Sequence, residues 1–248
     1  REYAGDPVGA EALAVQVAEA RRPAAQQPGL TVAQIEKPSP DSWPTYNGDY
    51  SGRRFSPLTK ITSTNVHHLS LAWMFRITGT GLGAIKSTPL QFNGVLYFTV
   101  PDHVWAVDAR SGREIWHYQW QTTGGNHLGN RGAAIYEDWL YFETPDCYLI
   151  SLNLKDGKER WRRQICDIDQ FYYASVAPTV LKDRLIAGVS GDDFDIPGYI
   201  QSHHPESGAL QWRWYTVPVK PGEASGALDV CLKGLAEQLT WEHWISAT

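Results

Sequence analysis

Two short segments carry the side chains best suited to chemistry. Ser190-Gly191-Asp192-Asp193-Phe194-Asp195 puts three carboxylates into four positions. Such a cluster supplies the oxygen donors that a hard cation needs. An acidic, solvated loop built on turn-forming Asp is the alternative reading of the same residues. Asn130-Arg131-Gly132 offers a guanidinium, whose planar fork binds a carboxylate through two parallel hydrogen bonds. The alternative for Arg131 is an edge residue held in a salt bridge. Lys86 adds a second cation just before Ser87-Thr88-Pro89, and Ser175 adds a hydroxyl before Ala177-Pro178. His127 stands alone in a glycine-rich stretch, and a lone histidine is more often structural than ligating.

The whole chain narrows what these groups can serve. A net charge of −5 over 248 residues argues against non-specific nucleic-acid binding, which needs a basic face. No apolar run approaches the ~20 residues of a membrane span. Cys147, Cys166 and Cys231 make an odd set of 3, which gives no disulfide framework, and no Cys-x-x-Cys-His haem-attachment motif occurs. The chain begins at Arg1, so a processed N-terminus or a fragment is expected. Residues 8–20 are rich in Ala and Val, but Glu11, Gln16 and Glu19 make them a poor secretory leader.

The elements that must position the chemical residues show themselves by repetition. In three segments a strand meets a polar pair (Asn93-Gly94, Glu137-Asp138, Lys182-Asp183) that returns the chain as a second strand. A third strand follows, then a turn ending in Gly112, Gly157 or Gly208. A tryptophan comes four residues later each time: Trp116, Trp161 and Trp212. Four strands in each ~45-residue unit describe a propeller blade. A single blade covers neither of its faces, so blades must stack. A Trp ring laid over glycine backbone of a neighbour would dock one on the next. The fold class is therefore all-β, about three four-stranded blades of a partial β-propeller. Around it, residues 1–42 form an N-terminal helical and irregular arm, with a short helix expected over 8–22. Residues 43–218 form the blades, and 219–248 a divergent tail, helical over Cys231–Leu239.

The repeats, with Asp108-Ala-Arg-Ser-Gly-Arg-Glu-Ile-Trp116 as their clearest ending, resemble the blade motif of pyrroloquinoline-quinone (PQQ) dehydrogenases. Trp43-Pro-Thr-Tyr-Asn-Gly-Asp-Tyr-Ser-Gly-Arg-Arg-Phe-Ser56, Ile61-Thr-Ser-Thr-Asn-Val66 and Leu69-Ser-Leu-Ala-Trp73 resemble the N-terminal opening of the PQQ-dependent alcohol dehydrogenases. That resemblance implies an eight-bladed ring with PQQ and Ca²⁺ or a lanthanide in an axial funnel. It also implies oxidation of an alcohol with an Asp general base, a cytochrome c-type electron acceptor and a periplasmic location.

By the same resemblance, Arg131 pairs with a PQQ carboxylate, Ser175 hydrogen-bonds PQQ, and Ser190 and Gly191 approach it. Asp193 takes the metal position, one methylene shorter than the family's Glu. Lys86 stands where members have Glu near a PQQ carboxylate. The adjacent cysteines that members carry before Asn-Arg-Gly are replaced by Gly124-Gly125-Asn126-His127-Leu128-Gly129. The similarity in motifs stops near Pro218, before the family's Trp platform and catalytic Asp. No catalytic residue is therefore assigned, and the chain is expected to be an incomplete dehydrogenase, inactive alone. The rival expectation is a non-enzymatic propeller serving as an envelope scaffold.

Overall fold

A computed structural model describes residues 29–78, 85–125, 129–191 and 196–216. The helix expected over 8–22 and the tail after Pro218 lie outside these residues. Among the described residues twelve strands form three separate antiparallel sheets of four. The first holds β1 (Leu90–Phe92), β2 (Val95–Val100), β3 (His103–Asp108) and β4 (Glu114–Gln119). The second holds β5 (Ala133–Tyr136), β6 (Trp139–Glu143), β7 (Tyr148–Asn153) and β8 (Glu159–Gln164). The third holds β9 (Thr179–Leu181), β10 (Arg184–Val189), β11 (Tyr199–His203) and β12 (Leu210–Tyr215). Each sheet is a meander in sequence order, as a blade requires.

Local chemistry sets the register. Phe92 pairs with Val95, Tyr136 with Trp139 and Leu181 with Arg184, so every first hairpin has a two-residue loop. The first loop residue, Asn93, Glu137 or Lys182, takes positive φ in each blade. This twist suits a tight hairpin even where the residue is not the usual Asn or Gly. The third and fourth strands share one bulge, between Ala106 and Val107, Ser151 and Leu152, and Ser202 and His203. Third strands are buried almost throughout, and fourth strands are half-buried to exposed apart from Trp116 and Trp161.

Neighbouring units are joined by tryptophan. A Cβ built on Gly157 would lie 2.7 Å from Trp116 Cε3, and one on Gly208 would lie 2.8 Å from Trp161 Cε3. Each ring thus rests on the glycine of the following blade. Trp116 Nε1 donates to Leu154 O at 2.8 Å, and Trp161 Nε1 to Pro205 O at 3.2 Å. Trp73, ahead of the first blade, does the same at Gly112, donating to Ala109 O at 3.2 Å. The three glycines have φ of 70°, 69° and 69°, a region closed to most side chains.

Residues 29–42 of the arm are more ordered than their composition indicates. Leu30 exchanges backbone hydrogen bonds with Glu137 at 3.0 and 2.7 Å. It leads into α1 (Val32–Glu36), whose capping box pairs Thr31 with Gln34. Leu30 and Ile35 are buried with Leu90, Ile135 and Leu152 in the largest apolar cluster. Trp43 pairs with Gln91 at the free edge of β1, which covers backbone groups that an edge strand would otherwise expose.

One expectation is overturned. Cys147 and Cys166 are disulfide-bonded, with Cα atoms 5.0 Å apart. The odd cysteine count concealed the pair because the third, Cys231, belongs to the tail. The turn before β7 and the segment after β8 come together only through the blade meander, which spacing alone does not reveal.

Replacement of Gly157 by Ala is expected to destabilise the fold by about 2–4 kcal/mol, from strain at positive φ plus overpacking against Trp116. Trp116→Phe, which keeps a ring but loses the Nε1 hydrogen bond, should cost about 1–3 kcal/mol through the lost bond and smaller ring. Denaturant unfolding of both variants checks the pair.

Candidate functional site

The candidate residues sit at one end of the blades. Arg131 immediately precedes the strand pair opening with Ala133, Ser175 precedes β9, and Lys86 precedes β1. All three stand ahead of the first strand of successive units, Lys86 and Ser175 at matching positions and Arg131 one residue after the matching Asn130. Ser190 and Gly191 follow β10 at the same end, because β10 runs antiparallel to β9.

Backbone and side chain both tie Arg131 to Ser175. The Arg131 amide donates to Ser175 O at 2.9 Å, and Nη1 donates to Ser175 Oγ at 2.6 Å. Ser175 is 5% exposed, so a rigid hydroxyl steers an exposed guanidinium. Arg131 has no ion-pair partner among the described residues, and the salt-bridge reading of this residue finds no support in them. Ser190 exchanges backbone bonds with Tyr173, N to O at 3.2 Å and O from N at 2.9 Å. That bridge places it beside the segment that bears Ser175. Gly191 is buried, and a Cβ there would meet Ile196 Cβ at 2.5 Å. Lys86 lays its stem over Gly129, where a Cβ would lie 2.7 Å from Lys86 Cδ, so it neighbours the Asn-Arg-Gly segment. Asp192, Asp193, Asp195 and His127 lie outside the described residues. No group of three or more His, Cys, Asp or Glu placed to hold a metal occurs among the described ones.

Three buried features hold this end in place, and none was assigned a role from the sequence. Asn130, 2% exposed, accepts at Oδ1 from Thr99 Oγ1 and from the Gly132 amide (2.8 Å), and donates to Glu143 O at 2.8 Å. Asp146 accepts from Trp120 Nε1 at 2.8 Å, the Thr123 amide at 3.0 Å and Thr144 Oγ1 at 2.6 Å. It thereby ties the segment after β4 to the turn before β7. Glu143 is fully buried, and its Oε2 accepts from the Val176 amide at 3.0 Å. Burial pushes its carboxyl up to about 8, against the opposing pull of the Val176 and Gly188 amides. Only Asn130 left a trace in the sequence, as part of the Asn-Arg-Gly motif. Glu143 ends a strand of otherwise apolar and aromatic residues.

The sequence profile described as "Glucose/ethanol/alcohol dehydrogenase, beta-propeller domain" matches residues 43–230. The chain belongs to this PQQ dehydrogenase β-propeller family. It is 36% identical over 186 residues to the quinohemoprotein alcohol dehydrogenase ADH IIB of Pseudomonas putida, covering 72% of this chain and 27% of that protein. It is 35% identical over 215 residues to the dehydrogenase subunit of the alcohol dehydrogenase (quinone) of Gluconacetobacter polyoxogenes, covering 82% and 29%. Among solved structures it superposes on quinohemoprotein alcohol dehydrogenase ADHIIG of Pseudomonas putida HK5 with a TM-score of 0.75 at 30% identity, covering 84% of this chain and 32% of that one. A europium-containing methanol dehydrogenase gives a TM-score of 0.68 at 29% identity, covering 74% and 33%. The chain thus spans less than a third of the length of these relatives. The three-blade propeller reading is borne out by the sheets and by these likenesses.

The disulfide borders the site, since Ile165 and Cys166 open the segment that runs through Tyr173 to Ser175. Cys147→Ser with Cys166→Ser should lower stability by about 3 kcal/mol, the loop entropy expected for cysteines 19 residues apart. Thermal unfolding of the double variant beside the oxidised parent chain measures it.

Proposed function

We propose that this chain forms the N-terminal blades of a PQQ-dependent alcohol dehydrogenase, and that Arg131, Ser175, Ser190 and Gly191, with Lys86, hold the cofactor. The observation that carries the reading is the exposed Arg131 guanidinium, aimed by Ser175 and free of any carboxylate among the described residues. PQQ is a flat tricarboxylate, and a cation held in a fixed orientation fits one of its carboxylates. Ser175 keeps its own O–H to donate to a bound oxygen. Bound there, PQQ supplies the two-electron acceptor for oxidation of an alcohol to an aldehyde or ketone.

Asp193 is the proposed metal ligand, for Ca²⁺ or a lanthanide, by its match to the family's metal position. The europium in a similar methanol dehydrogenase supports a metal of that kind. A cytochrome c-type acceptor accords with the quinohemoprotein relatives. A periplasmic location accords with the Cys147–Cys166 bond, since disulfides persist in oxidising compartments. No helix among the described residues is long and apolar enough to cross a membrane.

The short span of the relatives supports reading the chain as part of a larger ring, without the expected catalytic Asp and inactive by itself. So does Trp212. It occupies the docking position of the third blade, and its buried Nε1 has no partner among the described residues. The glycine and carbonyl of a fourth blade would complete it. The scaffold alternative accounts for the generic repeat but gives no reason for the joint placement of Arg131, Ser175 and Ser190.

Calorimetric titration of the full-length gene product with PQQ and Ca²⁺ tests this reading. Binding should occur, and alcohol oxidation should depend on both additions, while the 248-residue chain alone shows no turnover. Arg131→Ala should weaken PQQ binding by about tenfold or more, and Arg131→Lys should not restore it, because an ammonium lacks the fork. Absence of PQQ binding by the parent protein would overturn the proposal.

A further inference from the structure

Glu143 is an unusual residue to find at its place. It ends β6 with 0% exposure and reaches across the seam between the second and third blades. Its Oε2 accepts the Val176 amide at 3.0 Å, one residue beyond Ser175. Its own carbonyl accepts from Asn130 Nδ2 at 2.8 Å, one residue before Arg131. Oε1 has no hydrogen-bond partner among the described residues. A buried carboxyl held only by the Val176 amide at 3.0 Å and the weaker pull of the Gly188 amide is costly to a fold. Simple packing would be better served by an apolar side chain, so the cost points to a task.

We propose that Glu143 is a positioning residue for the cofactor face, holding the Ser175–Val176 segment of the third blade in register with the Asn130–Arg131 segment of the second so that the Ser175 hydroxyl aims the Arg131 guanidinium. This rests on the reading of that face as the PQQ site.

The protonation state fits the task. With its carboxyl pushed up to about 8, Glu143 is a neutral acid near neutral pH. A neutral acid avoids the cost of burying a charge, the largest influence on this carboxyl. It also places no second negative charge near a site for a tricarboxylate. Across the seam Glu143 faces the Val176 and Gly188 backbones, and on its own side Asn130. The charged groups of the adjoining segments are Arg131, Lys86 and, in the turn after β6, Asp146. The sign follows from linkage. The folded chain holds this proton more tightly than the unfolded chain does. The stability linked to it is complete below the ordinary carboxylate range and is lost as pH rises through about 8.

The test compares Glu143→Gln and Glu143→Ala with the parent in the full-length gene product. PQQ affinity is measured by calorimetry across neutral and alkaline pH, and amide hydrogen exchange is followed in the peptide containing Val176 without PQQ. Gln keeps an acceptor for the Val176 amide and cannot ionise. It should bind PQQ as the parent does near neutral pH and should lack the parent's loss of affinity above pH about 8. Ala leaves the amide unpaired. It should bind about tenfold to a hundredfold more weakly and exchange the Val176 amide faster. Equal affinity of all three proteins at every pH would overturn the positioning role while leaving the PQQ reading intact. Failure of the parent to bind PQQ would overturn both. If Ala does not fold, the alkaline behaviour of Gln against the parent decides alone: a shared loss of affinity refutes the role, and its absence in Gln supports it.

Discussion

The structure depends on one contact: an indole ring seated on a glycine in the left-handed region, with its N–H bonded to a carbonyl three residues upstream. The contact occurs at Trp73 on Gly112, Trp116 on Gly157 and Trp161 on Gly208. It joins two demands that normally conflict. The indole buries a large apolar area, and its polar atom is satisfied at the same time. The glycine gives up a side chain so that the ring can approach the backbone. Because both halves recur at the same offset in every unit, the angle between blades is set by this local geometry.

The candidate site inherits its precision from that arrangement. Residues before the first strand of each blade lie at one end of the stack, so Lys86, Arg131 and Ser175 meet there although they are far apart in sequence. The buried bonds of Asn130, Asp146 and Glu143 then convert approximate nearness into fixed geometry. Functional groups on irregular backbone gain rigidity when supporting polar groups behind them are buried and bonded.

The blades were legible because their signals are local: two-residue turns, alternating strands and a fixed Gly-to-Trp interval. Arg131 and Ser175 were legible because short motifs carry them. Their mutual hydrogen bond was not, since it spans two blades. The Cys147–Cys166 bond and the Glu143 seam were hidden for the same reason, as each joins segments that only the meander brings together. α1 was missed on different grounds: Thr31 and Gln34 form a capping box in a stretch whose Pro and Gln content reads as linker. Trp73 was noticed as part of a family motif, yet its physical role was that of the repeated tryptophans.

In each dock the ring precedes its glycine along the chain, Trp73 before Gly112, Trp116 before Gly157 and Trp161 before Gly208. The relation is directional. A blade that has formed presents its indole before the unit that will receive it has been synthesised. The next unit meets a finished surface as it leaves the ribosome, and never has to wait for a distant C-terminal segment. Blades joined in this way can be built like a row of tiles, each laid against the last.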